Sequence, residues 1–153
     1  MDGKQPVPRL YREPDRAARI KLIADSYARL LGRPLVEEST DIVAALWTSP
    51  RAIVAHGTEA DPVFFFGNAT ALAAFETNVK AFTGMPSRLS AEAPLREERQ
   101  ALLDRVTANG FIDDYAGIRI SARGRRFRIG PAVVWNLLDA EGLRHGQAAC
   151  FTP

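Results

Sequence analysis

A single cysteine, Cys150, and only two histidines, His56 and His145, set the first limits on this chain. One thiol cannot close an internal disulfide, which fits a reducing compartment. Three such side chains also fall short of a closed structural zinc site, which takes four cysteine or histidine ligands. No stretch approaches the roughly 20 consecutive apolar residues of a membrane span. The polar, proline-bearing segment Met1–Pro14 has no apolar core of the signal-peptide kind. A cytoplasmic location without a membrane partner is therefore expected. The net charge of +2 is too small to draw nucleic acid unless the basic residues are concentrated. Internal repeats and low-complexity tracts are missing, as are a nucleophile elbow, a phosphate loop and a Rossmann fingerprint. Kinase, cyclase and helix-turn-helix signatures are missing too, so any signal is expected to pass to a separate protein.

What is present reads as one domain. A chain of 153 residues buries enough surface to fold without a staple. Residues 1–13 are expected to be a flexible leader and 14–153 the domain. From Pro14, the residues Ile20, Ile23, Tyr27, Leu30 and Leu31 recur at helical spacing, and Gly32 and Pro34 end the run. Thr40 is the expected cap of a second helix through Trp47, which Pro50 ends. Ala52–His56 and Val63–Phe66 then form short β-rich runs about a turn. Asn68 is placed to cap a helix carrying Ala71, Leu72 and Phe75, and a short helix is expected around Val79 to Phe82. Pro94, Leu95, Glu97 and Glu98 open a longer helix that closes at Gly110. Strands follow over Phe111–Ala122, Arg125–Leu138 and Gln147–Phe151. Strand sets separated by a helical block indicate an α+β domain with an antiparallel sheet.

That order resembles a PAS domain. Closer still, His56-Gly57-Thr58-Glu59-Ala60-Asp61-Pro62, Pro86-Ser87-Arg88-Leu89 and Arg96-Glu97-Glu98-Arg99 resemble segments of the MEKHLA domain. So do Gly110-Phe111-Ile112-Asp113-Asp114-Tyr115, Gly117-Ile118-Arg119-Ile120-Ser121 and Gly124-Arg125-Arg126-Phe127-Arg128-Ile129. The family is PAS-related. It occurs as small bacterial proteins and at the C-terminus of plant class III homeodomain-leucine zipper proteins, and the resemblance spans roughly residues 14–152. It implies a PAS-like five-stranded antiparallel sheet with a helical middle block and N-terminal helices. It implies a module in signalling that senses a small molecule or meets a protein partner, and not an enzyme. No catalytic residue set carries over. A haem-binding PAS domain commonly takes a histidine from its long helix, and the helix expected at about 94–108 has none. A photoreactive flavin type uses Asn-Cys-Arg in the helical middle, where this chain has no cysteine. Haem and photoreactive flavin are therefore not expected, and the cofactor, if any, is unknown.

Several positions are candidates for chemistry. A ligand cavity is expected between the inner face of the sheet and the helical middle. His56, Asn68, Phe65, Tyr115, Phe127 and Trp135 are the candidate ligand-binding residues, with Phe75, Phe82 and Ile118 as further walls. His56 near Glu59 and Asp61 is also the site of the alternative reading, a small enzyme using a histidine and carboxylates, although a hydrogen-bonded structural histidine is commoner. No catalytic residue and no metal site are assigned. Asp113 and Asp114, adjacent on a strand, point to opposite faces and do not form a pair. Cys150 reads as a small buried residue and His145 as solvated.

The hairpin 117–130 is expected to turn on Arg123-Gly124. Ala122 would pair with Arg125, Ile120 with Phe127 and Ile118 with Ile129, all on one face. Arg119 would then face Arg128, and Ser121 would face Arg126, with Glu37, Glu38 and Asp41 as candidate acids to offset them. Arg119, Arg123, Arg125, Arg126 and Arg128 are also the residues that nucleic acid would need, a reading weakened by the acids interspersed elsewhere. Finally, Ala132 to Trp135 are apolar on both faces, so both must be covered. The helix over 15–31 is the candidate cover, from the same chain or a second copy; the second case predicts a homodimer through the N-terminal helix and sheet.

Overall fold

The computed structural model describes residues 5–91 and 96–153. Two helices precede the sheet, α1 (Pro14–Leu31) and α2 (Ile42–Trp47). Pro14 opens α1 and Gly32 closes it in a left-handed conformation at φ 74°. Asp41, one residue after the expected Thr40, caps α2 by accepting from the Ala44 N–H. The strands are β1 (Ala52–His56), β2 (Phe64–Gly67), β3 (Phe111–Ile120), β4 (Arg126–Leu138) and β5 (Arg144–Phe151). They form one antiparallel sheet in the order β2-β1-β5-β4-β3. Between β2 and β3 run α3 (Ala69–Ala74), α4 (Val79–Phe82) and α5 (Arg96–Asn109). The architecture is thus the expected α+β one. Pro94 and Leu95, expected in the first turn of α5, lie outside the described residues.

Each face of the sheet has its own cover. On the outer face, the Trp135 indole N–H donates to the Ile23 carbonyl at 3.0 Å, and Tyr27 meets the Trp135 ring edge-on with centroids 4.9 Å apart. The Ser26 hydroxyl accepts from the Leu138 N–H at 2.8 Å. The apolar outer side of β4 is therefore covered by α1 of the same chain, and the case for a homodimer built on that face lapses. On the inner face, Leu102, Leu103 and Val106 of α5 pack with Ile112 and Val134. Phe64 and Phe82 stack at 4.2 Å beside them at the β2 end.

Two expectations need correction. The first concerns the leader: Arg9–Arg12 forms a 3-10 turn, and Tyr11 is completely buried between Phe66 and Trp47. Its ring provides apolar area that the helical pattern from Pro14 onward does not reveal.

The second is the register of the β3–β4 hairpin. Ile120 pairs with Arg126, Arg119 with Phe127 and Ile118 with Arg128. The loop is one residue longer than expected. Ser121 N–H bonds to the Arg125 carbonyl, Gly124 sits at φ 84°, and the Ser121 hydroxyl accepts from the N–H groups of Arg123 and Arg125. A slip of one residue moves every side chain to the opposite face. Ile118 is consequently exposed and Arg119 buried, at 39% and 8% exposure. Arg119 does not face Arg128, and the expected basic stripe is divided between the inside and the surface. The acid beside this turn is Glu76, which accepts from Ser121 at 2.6 Å and lies 3.4 Å from Arg125. Asp41 instead forms an ion pair with Arg12.

Candidate functional site

The inner face and the helical block leave a cavity of about 50 Å³. Its floor comes from the strands: Val54 and His56 on β1, Ile129 and Val134 on β4, and Gln147, Ala149 and Phe151 on β5. Alternation puts the β1 and β5 residues on one face, and the extra residue of β4 opposite Tyr115–Gly117 brings Ile129 and Val134, five apart, to that face as well. Phe75 at the end of α3 and Leu102 and Leu103 on α5 form the roof. Tyr115 and Arg119 close the β3 side. Tyr115 and Leu102 also line a separate crevice between α5 and β3, so they form the wall between cavity and surface.

Of the six residues expected to bind ligand, only His56 and Tyr115 line this cavity. Phe65 is displaced by an irregularity in β2. Ala55 pairs with Phe66 and His56 with Phe64, which leaves Phe65 as the extra residue. Its ring lies under the Arg19 guanidinium, 4.1 Å from the centroid, on the α1 side, and Phe64 takes the inward place. Trp135 faces α1, as described. Phe127 faces inward but packs on Phe75 and Phe151 beyond the cavity. Of the further walls, Phe75 lines the cavity, Phe82 packs beside it, and Ile118 points away.

Asn68 is a fully buried structural hub. Its Oδ1 accepts from the N–H groups of Ile53 and Ala71, and its Nδ2 donates to the carbonyls of Leu46 and Arg51. No bonding capacity is left for a ligand.

Nor does the histidine–carboxylate cluster assemble. His56 Nδ1 lies 2.9 Å from the Gly57 carbonyl, Glu59 accepts from the Val63 N–H, and Asp61 pairs with Arg88. Among the described residues, no three His, Cys, Asp or Glu side chains converge as a metal site. Asp113 and Asp114 are both exposed, at a break in the β3 register. His145 reaches Asp139 at 2.8 Å, which holds that carboxyl below its usual range. Cys150 is buried on the face away from the cavity, and burial pushes its thiol up to about 11.

Two polar groups give the cavity its chemistry, and neither was among the expected site residues. Gln147 is 1% exposed. Its Nε2, with two hydrogens to donate, lies within hydrogen-bond distance of three acceptors, the Leu103 carbonyl, Thr107 Oγ1 and Asn136 Oδ1, at 3.1, 2.9 and 3.0 Å. Its Oε1, also buried, has no hydrogen-bond partner among the described residues. The second group is Arg119. Its guanidinium lies over the Tyr115 ring at 5.2 Å and donates once, to the Ile118 carbonyl at 3.1 Å. Among the described residues no carboxylate forms an ion pair with it. The alternation of Gln147 with Ala149 and Phe151 could have revealed the first group. The second was hidden by the one-residue error in the hairpin.

A family profile for the MEKHLA domain matches residues 17–153. The chain belongs to the MEKHLA domain family. The homeobox-leucine zipper protein HOX29 of Oryza sativa subsp. indica is 27% identical over 145 residues, covering 91% of this chain and 16% of its own. For ATHB-14 of Arabidopsis thaliana the identity is 26%, over 90% of this chain and 17% of that protein. This MEKHLA domain thus spans about one sixth of the curated relatives it matches. Its fold is that of PAS domains. A PAS domain from Colwellia psychrerythraea superposes with a TM-score of 0.59 at 13% identity, over 70% of this chain and 88% of that one. The PAS domain of a LuxR-family transcriptional regulator from Burkholderia thailandensis, solved in complex with ethanol, gives 0.55 at 18% identity, over 69% and 91%. No helix among the described residues is long and apolar enough to cross a membrane.

Proposed function

We propose that this MEKHLA domain is a sensing module in signalling, which takes a small molecule into the inner-face cavity and passes its occupancy to a protein partner. The observation that carries this reading is the unpartnered Oε1 of Gln147 in the cavity wall. A buried amide oxygen without a donor costs about 1–3 kcal/mol, and a ligand that donates to it recovers that cost. The cavity is small. At about 50 Å³ it has room for only a few waters or a molecule of comparable size. Tyr115 and Leu102 line both the cavity and the surface crevice, so this wall is the proposed way in. Binding without catalysis is the better-supported role, because Glu59 and Asp61, the carboxylates expected to act with His56, bond to Val63 and Arg88 instead.

The test is native mass spectrometry of the freshly purified chain, paired with an Ala149→Leu variant. Ala149 lines the cavity, so leucine there fills it. A reproducible extra mass on the wild-type chain, lost from a variant that still melts cooperatively, supports the reading. Ligand-free wild type together with a variant of raised melting temperature would instead mark the cavity as plain unfilled core.

A further inference from the structure

The unpartnered Oε1 of Gln147 stands beside an apolar row. His56 and Asn136 pair with Gln147 on β1 and β4. Two residues further along β5, Ala149 pairs with Val54 and Val134, and all three line the cavity with Leu102 and Leu103. A step of two strand residues is about 7 Å, so the acceptor and the row fall within reach of one small molecule. At about 50 Å³ the cavity takes roughly four non-hydrogen atoms, at about 10–15 Å³ for each water-sized group. Among the described residues no aspartate or glutamate lines it, so a cation would be buried there without a counter-charge. An anion would turn acceptors toward an acceptor. Arg119 stands apart: it pairs with Phe127, nine positions along β4 from Asn136, and its part-exposed guanidinium rests on the Tyr115 ring and the Ile118 carbonyl. A lone water needs about two to four polar partners, and the Val54–Ala149–Val134 row presents only hydrocarbon side chains.

We infer that the ligand of this cavity is an uncharged molecule of about four non-hydrogen atoms, with one O–H or N–H donor directed to Gln147 Oε1 and its carbon body on the Val54–Ala149–Val134 row. The inference rests on the sensing role proposed above and specifies the chemistry of the same cavity. The Gln147 amide cannot turn over to present a donor instead. A flipped amide would set its oxygen against the Leu103 carbonyl and Asn136 Oδ1, both acceptors. The site is therefore fixed as an acceptor, and it selects for a donor among molecules of one shape.

The experiment is an NMR titration of the full chain with 2-propanol, acetone, acetate and isopropylammonium, four probes of nearly one shape, at neutral pH and matched ionic strength. The Ala149 methyl and the Gln147 side-chain amide signals are followed. 2-Propanol is expected to shift both saturably and to bind about ten-fold or more tightly than acetone, which lacks the donor, and than either ion. Ala149→Leu should abolish the 2-propanol response. Gln147→Leu should bring 2-propanol and acetone to equal affinity; if it fails to fold, the order of the four probes on the wild-type chain decides. Acetone or either ion binding as tightly as 2-propanol, or a 2-propanol response that survives Ala149→Leu, overturns the inference and leaves the cavity reading standing. If no probe binds, the molecule that co-purifies decides. An uncharged donor of this size supports the inference, and a charged or donorless one overturns it. No probe bound and no co-purified molecule overturns both readings.

Discussion

The Tyr11 hydroxyl and the backbone of Gly67 bond each other in both directions: the hydroxyl donates to the Gly67 carbonyl at 2.8 Å and accepts from the Gly67 N–H at 3.0 Å. Gly67 ends β2, the edge strand, and precedes the Asn68 cap of α3. One side chain from before α1 therefore satisfies both backbone groups where the chain leaves the sheet. Tyr11→Phe keeps the ring but leaves a buried N–H and carbonyl without this partner. The expected loss is about 1–3 kcal/mol, read as a lower urea midpoint at unchanged slope. No loss would mean that water replaces the hydroxyl.

The same residue sets an alkaline limit. Burial pushes the Tyr11 phenol from 10.0 up to about 12, and burial pushes the Cys150 thiol from 9.0 up to about 11. Both folded values lie above the unfolded ones, so the folded state holds these protons more tightly. Their contribution is complete below the unfolded values and is lost as pH rises, from 9 to about 11 for Cys150 and from 10 to about 12 for Tyr11. A two-unit shift corresponds to about 2.7 kcal/mol at most for each group. Urea midpoints should stay level up to the thiol's unfolded value and then fall. Cys150→Ala should remove the earlier part of the decline and Tyr11→Phe the later part.

Most of the fold was legible because its signals are local. Gly32, Pro50, Asn68 and Gly110 each mark an element boundary through their own backbone or side-chain preferences. β1 and α4 accordingly lie where apolar periodicity places them. The misplaced residues depend on information that periodicity does not contain. Phe65 reads as inward under strict alternation, and only the extra residue opposite the Ala55–His56 step moves it to the outer side. Arg119 reads as solvated if Arg123-Gly124 is the whole loop, yet the Ser121 hydroxyl holds a longer one. Tyr11 lies outside any periodic segment, and its partner is 56 positions away in the chain. Two single-residue irregularities thus took Phe65 out of the expected site and hid Arg119 from it.

Asn68 separates a structural role from a ligand role. Asn68→Asp preserves size and both accepted bonds but replaces the Nδ2 donor with an oxygen facing the Leu46 and Arg51 carbonyls. Asn68→Ala removes all four bonds. Both are expected to destabilise by about 3 kcal/mol or more, the range for breaking a buried hydrogen-bond network. The affinity of whatever chain remains folded should be unchanged. A stable variant with altered affinity would return Asn68 to the cavity.

The hairpin register makes the last prediction, from two residues of similar appearance in sequence. Arg128 stands opposite Ile118 on the solvent side, where both are exposed. Arg128→Glu should therefore change stability by no more than about 0.5 kcal/mol. Ser121 is 6% exposed and joins the Arg123 and Arg125 N–H groups to Glu76. The Ser121 hydroxyl, followed by Arg125, also holds the Glu76 carboxyl below its ordinary 4.5. Ser121→Ala strands two loop N–H groups and should cost about 1–3 kcal/mol. It should also reduce the acid sensitivity due to Glu76, leaving the part that Arg125 supplies. The Glu76 contribution is present above the unfolded value and lost as pH falls through the lower folded one. Thermal melts of both variants at neutral and acid pH check the register directly. A large effect at Arg128 with none at Ser121 would restore the two-residue turn and put Arg119 back on the surface.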